Sequence, residues 1–160
     1  IASRYDDQIL IEHVVHGREI DVAVLREADG SRWAPPLLEI HTSGLFDTAT
    51  KYNGTARFTV PAELGSSDRA AITQAALAMF DALGCSGVAR IDFFLTDNGL
   101  VLNEVNTMPG MTAESQVPRM FAAAGVPYGE LVARLIGAAT VPTKDAARLI
   151  QRWSSRFSSR

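Results

Sequence analysis

Between Glu19 and Leu25, Ile20, Val22 and Val24 alternate with Asp21 and Ala23. A period of two predicts a β-strand with unlike faces. Ile9 to Glu12 reads as a strand before it, across a turn at His16-Gly17, and Pro36 to Ile40 reads as a third. From His41 to Pro61 the pattern fades into a connection rich in Thr, Gly and Asn, of a length that usually marks function or mobility. Ser67 then predicts the N-cap of a helix that sends Ala71, Ile72, Ala75, Met79, Phe80 and Leu83 toward a core. Gly84 ends it, as glycines just past a helix do. Val88 to Thr96 and Leu100 to Asn106 predict two more strands, joined by a three-residue loop at Asp97-Asn98-Gly99. After Pro109-Gly110 come two short helices, about Pro118 to Ala124 and Tyr128 to Ala138. Pro142 interrupts the chain before a last helix from about Lys144 to Phe157. No internal repeat is visible. These elements add up to an α+β fold, an antiparallel sheet flanked by helices, with the helices expected on one side.

Length and composition narrow the functional classes. The 160 residues suit one domain, or one and a fraction. Apolar residues make up 47% and charged residues 21%, ordinary values for a globular chain. A formal charge of −3 argues against nucleic acid as the partner, since phosphate backbones call for a basic surface. No apolar run has the length of a membrane span, and no secretory signal opens the chain. The single cysteine, Cys85, cannot form an internal disulfide and reads as a small buried hydrophobe, which points to the cytoplasm. His13 and His16 are three apart in an extended stretch, which argues against a shared zinc. Lys144, Arg148, Arg152, Arg156 and Arg160 recur every four residues beside Leu149, Ile150, Trp153 and Phe157. Such a stripe is more often a solvated helix face than a site for anionic lipid or a partner protein. The chain divides accordingly into a main portion, 1–140, and a basic amphipathic tail, 141–160. It begins with Ile1 and carries no Gly-rich phosphate loop, so a piece of a longer protein is expected.

Chemistry concentrates in the hairpin. Along Ala89-Arg90-Ile91-Asp92-Phe93-Phe94-Leu95, Arg90 and Asp92 share one face, while Ile91, Phe93 and Leu95 share the other. A three-residue loop would set Thr96 opposite Leu100, Asp92 opposite Glu104 and Arg90 opposite Asn106. Two opposed carboxylates destabilise a hairpin unless something compensates them. A hard divalent cation does so, and Mg²⁺ takes such oxygens together with phosphates and water. Arg90 adds positive charge for a phosphate or a developing oxyanion. A plainer reading makes Asp92 and Glu104 a solvated surface pair with Arg90 as counter-ion. Asn106-Thr107-Met108-Pro109-Gly110 follows as a tight turn whose glycine lets backbone N–H groups approach an anion.

Ala89-Arg90-Ile91-Asp92-Phe93-Phe94, followed by Asn103-Glu104-Val105-Asn106-Thr107-Met108-Pro109-Gly110-Met111-Thr112, resembles the signature of the D-alanine–D-alanine ligases, members of the ATP-grasp superfamily. Ile11-Glu12, Gly17-Arg18-Glu19, Phe46-Asp47, Lys51-Tyr52, Ser115 and Pro118 follow the same order, so the resemblance runs from about Asp7 to Ile136. It implies an ATP-grasp-type sheet and the ATP-dependent joining of two D-alanines through an acylphosphate, for peptidoglycan precursors and hence cell-wall growth and shape. Asp92, Glu104 and Asn106 would hold two Mg²⁺ ions, with Mn²⁺ as a substitute. Arg90 and the backbone of Gly110 would stabilise an oxyanion. Glu12, Val15, Glu19 and Lys51 would bind ATP, and Tyr52, Ser115 and Gln116 the second amino acid. Plainer readings make Lys51 and Glu19 exposed charges, Glu12 a strand-edge charge, Tyr52 a loop aromatic and Ser115 a helix cap. Thr48, His13 and Gln116 depart from the commonest family pattern, and Gln116 bears most on the second substrate. In that family an upstream portion supplies the first substrate's pocket and a phosphate loop. This chain by itself is therefore expected to be inactive and to need that portion as partner, with a homodimer open for the full-length ligase. The alternatives are an ATP-grasp ligase for other amino acids, as in antibiotic biosynthesis, or a non-enzymatic nucleotide-binding domain.

Overall fold

Strand β1, Arg18–Arg26, is central, because its apolar residues serve two cores at once. The structure, a computed structural model, describes residues 4–41 and 57–140, with side chains to Ala139. Within these, one antiparallel sheet contains β1, β2 (Arg32–Trp33), β3 (Leu38–His41), β4 (Arg57–Thr59), β5 (Val88–Thr96) and β6 (Gly99–Asn106). The order is β4-β3-β1-β5-β6, with β2 attached to β1. Three helices accompany it: α1 (Ser66–Ala82), α2 (Gln116–Ala123) and α3 (Tyr128–Thr140).

Alternation decides which residue meets which helix. Ile20, Val22 and Val24 of β1 join Ala89, Ile91 and Phe93 of β5 under Ile72, Ala76 and Phe80 of α1. Ala23 and Leu25 point the other way. They join Leu38 and Ile40 of β3, and are covered by Val117, Met120 and Phe121 of α2 and Leu131 of α3. The helices therefore lie on both sides of the sheet, not on one. The central strands have two apolar faces, and each needs its own cover to leave water. Cys85 is buried in the α1-side core, as expected.

Other expectations are adjusted. Ile9 to Glu12 forms no strand, and Leu10 and Ile11 are 80% and 89% exposed. No neighbouring strand meets that segment among the described residues, and alternation without a partner builds no ladder. Helix α1 starts one residue before Ser67, with Gly65 at its N-cap, while Ala71 and Leu83 face solvent. Gly84 does follow its end, at a φ of +63°. Strand β4 lies inside the stretch read as connection, because three residues are too few to display a period. The last predicted helix, and the rest of that connection from 42 to 56, lie outside the described residues.

Candidate functional site

The β5–β6 hairpin pairs Asp92 with Glu104 and Arg90 with Asn106, as the sequence predicts, but by a different route. Its turn is one residue shorter: Thr96 pairs with Gly99, Leu95 with Leu100 and Phe93 with Leu102. A bulge then sets both Asn103 and Glu104 against Asp92 and shifts the register by one. The shorter turn and the bulge compensate each other. The bulge also separates β6 by function. Leu100 stays on the α1-side core, whereas Glu104 and Asn106 turn to the face covered by α2.

On that face Arg90 is the hub. Its Nε donates to Asp92 Oδ1 at 2.7 Å, and Nη2 donates to Asp92 Oδ2 at 2.6 Å. Nη2 also reaches Glu104 Oε1 at 3.2 Å, and Nη1 donates to Gln116 Oε1 at 2.6 Å. A further carboxylate lies behind it. Asp21 of β1 pairs with Asp92 in the ladder, has no exposed surface, and brings Oδ2 to 3.3 Å from Arg90 Nε. Among the described residues neither Asp21 oxygen has a hydrogen-bond donor. Burial pushes the Asp21 carboxyl well above its usual range; the charge of Asp92 adds to this and Arg90 opposes it. Burial also acts to lower the Arg90 pKa. The hydrogen bond to Asp92 and the charges of Asp21, Asp92 and Glu104 outweigh it and hold the guanidinium above its usual value. Asp92 and Arg90 are only 3% and 8% exposed, so of the residues read as a solvated surface group only Glu104 lies open to solvent.

Asp21, Asp92 and Glu104 thus gather three carboxyl groups around one guanidinium, an excess of acidic oxygens that a divalent cation can take up. Among the described residues no three His, Cys, Asp or Glu side chains form a metal cage. Asp92, half-exposed Glu104 and Asn106 fit a hard cation that completes its shell with phosphate and water. Asn106 is partly engaged, since its Oδ1 accepts the Met108 N–H at 3.1 Å.

The turn after β6 is tied to the start of α2. Thr112 N–H donates to Ser115 Oγ at 3.1 Å, and the two hydroxyls are 2.8 Å apart. A Cβ on Gly110 would stand 3.1 Å from Ser115 Oγ, so the serine hydroxyl would have to give by a few tenths of an ångström to admit a larger residue. Ser115 occupies the N-cap position of α2 but makes no side-chain cap bond. Arg90, Asp92, Glu104, Asn106 and Gln116 are thereby gathered on one face, with the Gly110–Ser115 turn beside them. Glu19 lies two residues before Asp21 on the same side of β1, half-buried. Glu12 is exposed and Val15 half-buried, both on an irregular segment rather than a strand. Lys51 and Tyr52 lie outside the described residues. Sequence reading missed Asp21, although it is the only charged residue between Ile20 and Leu25, a stretch otherwise wholly apolar. It also missed the side chain of Gln116, which only the fold carries to Arg90.

Known proteins resemble this chain in sequence and in fold. The family model described as D-Ala-D-Ala ligase C-terminus matches residues 1–137. The D-alanine–D-alanine ligase of Corynebacterium jeikeium is 44% identical over 145 residues, which cover 87% of this chain and 39% of that protein. Among solved structures, the D-alanine–D-alanine ligase of Coxiella burnetii superimposes with a TM-score of 0.75 at 34% identity, covering 98% of this chain and 41% of that one. The Bacillus anthracis ligase complexed with ATP gives 0.64 at 30% identity, covering 78% and 38%. The chain thus spans about two fifths of the length of the curated relative described here.

Proposed function

The chain belongs to the family of D-alanine–D-alanine ligase C-terminal portions, and from that premise we propose that it forms the nucleotide- and acceptor-binding part of an ATP-dependent D-alanine–D-alanine ligase. In this reading residues 1–140 are the ATP-grasp portion and 141–160 a basic tail. The protein works in the cytoplasm, where ATP is at hand, on peptidoglycan precursors. The observation that carries the reading is the Arg90 guanidinium held among Asp21, Asp92 and Glu104 on the face covered by α2.

The reaction has two steps. The carboxylate of one D-alanine takes the γ-phosphoryl group of ATP, and the amine of the second attacks the resulting acylphosphate and releases phosphate. Both steps depend on positioning and charge neutralisation rather than on a protein nucleophile. Asp92, Glu104 and Asn106 would hold Mg²⁺, which neutralises phosphate charge when bound. Arg90 and the Gly110 N–H stand where an oxyanion can be met. Ser115 and the backbone at Gln116 take the second amino acid's carboxylate at the start of α2. By the same reading Glu19 would accept from the ribose, Glu12 and Val15 would meet the adenine, Lys51 would contact ATP phosphate and Tyr52 would serve the acceptor. The portion that binds the first D-alanine lies in the part of the relatives that this chain does not span, so the chain alone forms no dipeptide.

Isothermal titration of the chain with ADP, with and without Mg²⁺, tests the site. Nucleotide binding should require Mg²⁺ and disappear in the Asp92→Asn/Glu104→Gln double variant. Binding that ignores both would sink the assignment. A chimaera joining the N-terminal part of the C. jeikeium ligase to this chain should release phosphate only when both D-alanine and Asp92 are present.

A further inference from the structure

Buried carboxylates are nearly always hydrogen-bonded, because an unpartnered one forfeits its hydration without return. Glu39 obeys the rule: it is 6% exposed and accepts from Arg18 Nε at 2.7 Å and Nη2 at 2.6 Å. Asp21, on the other face of the same sheet, breaks it. It has no exposed surface and, among the described residues, no donor to either oxygen, while the guanidinium beside it is engaged with Asp92.

Arg90 directs its donors to the groups that a cation would require. Both Asp92 oxygens and one Glu104 oxygen face its Nε and Nη2. A divalent ion on those carboxylates would compete for their oxygens and repel the guanidinium from a few ångströms away. Arg90 must then find another anion or remain a buried, unpaired charge, which is costly. Asp21 is placed for this. Its Oδ2 is already 3.3 Å from Nε, and Gln116 can keep hold of Nη1 while the other edge of the fork turns.

We propose that Asp21 is a positioning residue that takes over the Arg90 guanidinium when a divalent cation occupies Asp92 and Glu104. Arg90 is in effect a stand-in cation that yields its place and is parked on β1, one strand away from the metal-binding pair. Hydrogen-bonded from behind to the Asp21 carboxyl, it keeps its outer edge, tethered by Gln116, toward the acceptor side of the site. The inference rests on the proposed metal-binding role of Asp92 and Glu104.

The test is an NMR titration of the 160-residue chain with Mg²⁺, following the Nε–Hε resonance of Arg90, identified by its loss in Arg90→Lys. In the wild type the resonance should move with Mg²⁺ yet stay protected from solvent exchange at saturation. In Asp21→Asn and Asp21→Leu it should become solvent-exchanging once Mg²⁺ is bound, and Mg²⁺ affinity should fall by about ten- to a hundredfold. Loss of protection in the wild type itself would overturn the switch even if neither variant folds. Protection that survives in Asp21→Leu would also overturn it, whatever happens to affinity, because a purely through-space effect of the Asp21 charge would leave the Arg90 signal unmoved. If Mg²⁺ leaves the wild-type resonance unchanged, and Asp92→Asn does not alter Mg²⁺ binding, the metal-site reading fails together with the switch.

Discussion

Two arginines on opposite faces of β1 and β5 show how one residue type serves different ends. Arg18 satisfies both Glu39 oxygens and also donates to the Glu63 carbonyl at 2.7 Å. Arg90 is asked to balance three carboxylates and cannot satisfy them all. Replacing Arg90 by Met would strand buried Asp21 and Asp92. The urea midpoint should fall by the equivalent of about 3–5 kcal/mol, as expected when one partner of a buried ion pair is removed. Glu39 yields a pH prediction. The Arg18 hydrogen bonds hold its carboxyl below the ordinary value of 4.5, against the effect of burial. A carboxylate with a depressed folded-state pKa contributes stability that is present above the ordinary value and is lost as pH falls through the folded one. Glu39→Gln should therefore lower stability at pH 7 by about 1 kcal/mol, discounted because Arg18 is 44% exposed. Denaturation curves of the two proteins should converge as the pH falls from 4.5 through the depressed pKa of Glu39. Asp21 acts in the opposite sense: the fold raises its pKa, so its contribution declines as pH rises from 3.8.

At the scale of elements, the hairpin shows how a correct pairing can rest on a wrong count. The sequence placed Asp92 against Glu104 through a three-residue loop, while the chain uses a shorter turn and one bulge at Asn103. Strand alternation could not reveal the bulge, because Leu100, Leu102, Glu104 and Asn106 share the same parity and only packing separates the apolar pair from the polar one. Gly99 makes the tight turn possible at a φ of +120°, and a Cβ added there would meet nothing within 4 Å. Gly99→Ala should therefore destabilise through the backbone alone, by about 1–3 kcal/mol in chemical denaturation. A neutral result would show that the turn can rearrange. The bounds of helix α1 were legible to within about two residues, but its inner face only in part: Ile72 and Phe80 were expected in the core, whereas Ala76 between them was not. Strand β4 was not, being three residues long.

Across the whole molecule, two cores share one sheet. Phe80 and Phe121 are both fully buried, one under each face. Phe80→Ala and Phe121→Ala should each cost about 3–5 kcal/mol, and the double variant should come close to their sum, because distant sites couple weakly. A large departure from additivity in the unfolding midpoints would mean that the sheet transmits strain between its faces. The segment before β1 belongs to neither core: Ile9, Leu10, Ile11 and Val14 are 49% to 89% exposed. Amide exchange there should be orders of magnitude faster than in β1 and β5, whose backbone groups are laddered on both sides.

The sequence by itself determined the strand–helix order around the site, the hairpin's acidic and basic pairing, and the family, because alternation, turn residues and the Asn103–Gly110 run are local properties. Tertiary structure alone decided that helices cover both faces of the sheet, that β6 bulges at Asn103, and that Asp21 and Gln116 meet Arg90. Asp21 and Arg90 are 69 positions apart and Gln116 a further 26 along the chain. No local pattern encodes such a meeting. It follows from the antiparallel register of β1 on β5 and from the apolar side of α2 docking on the same face, both set by the burial of residues far from the site.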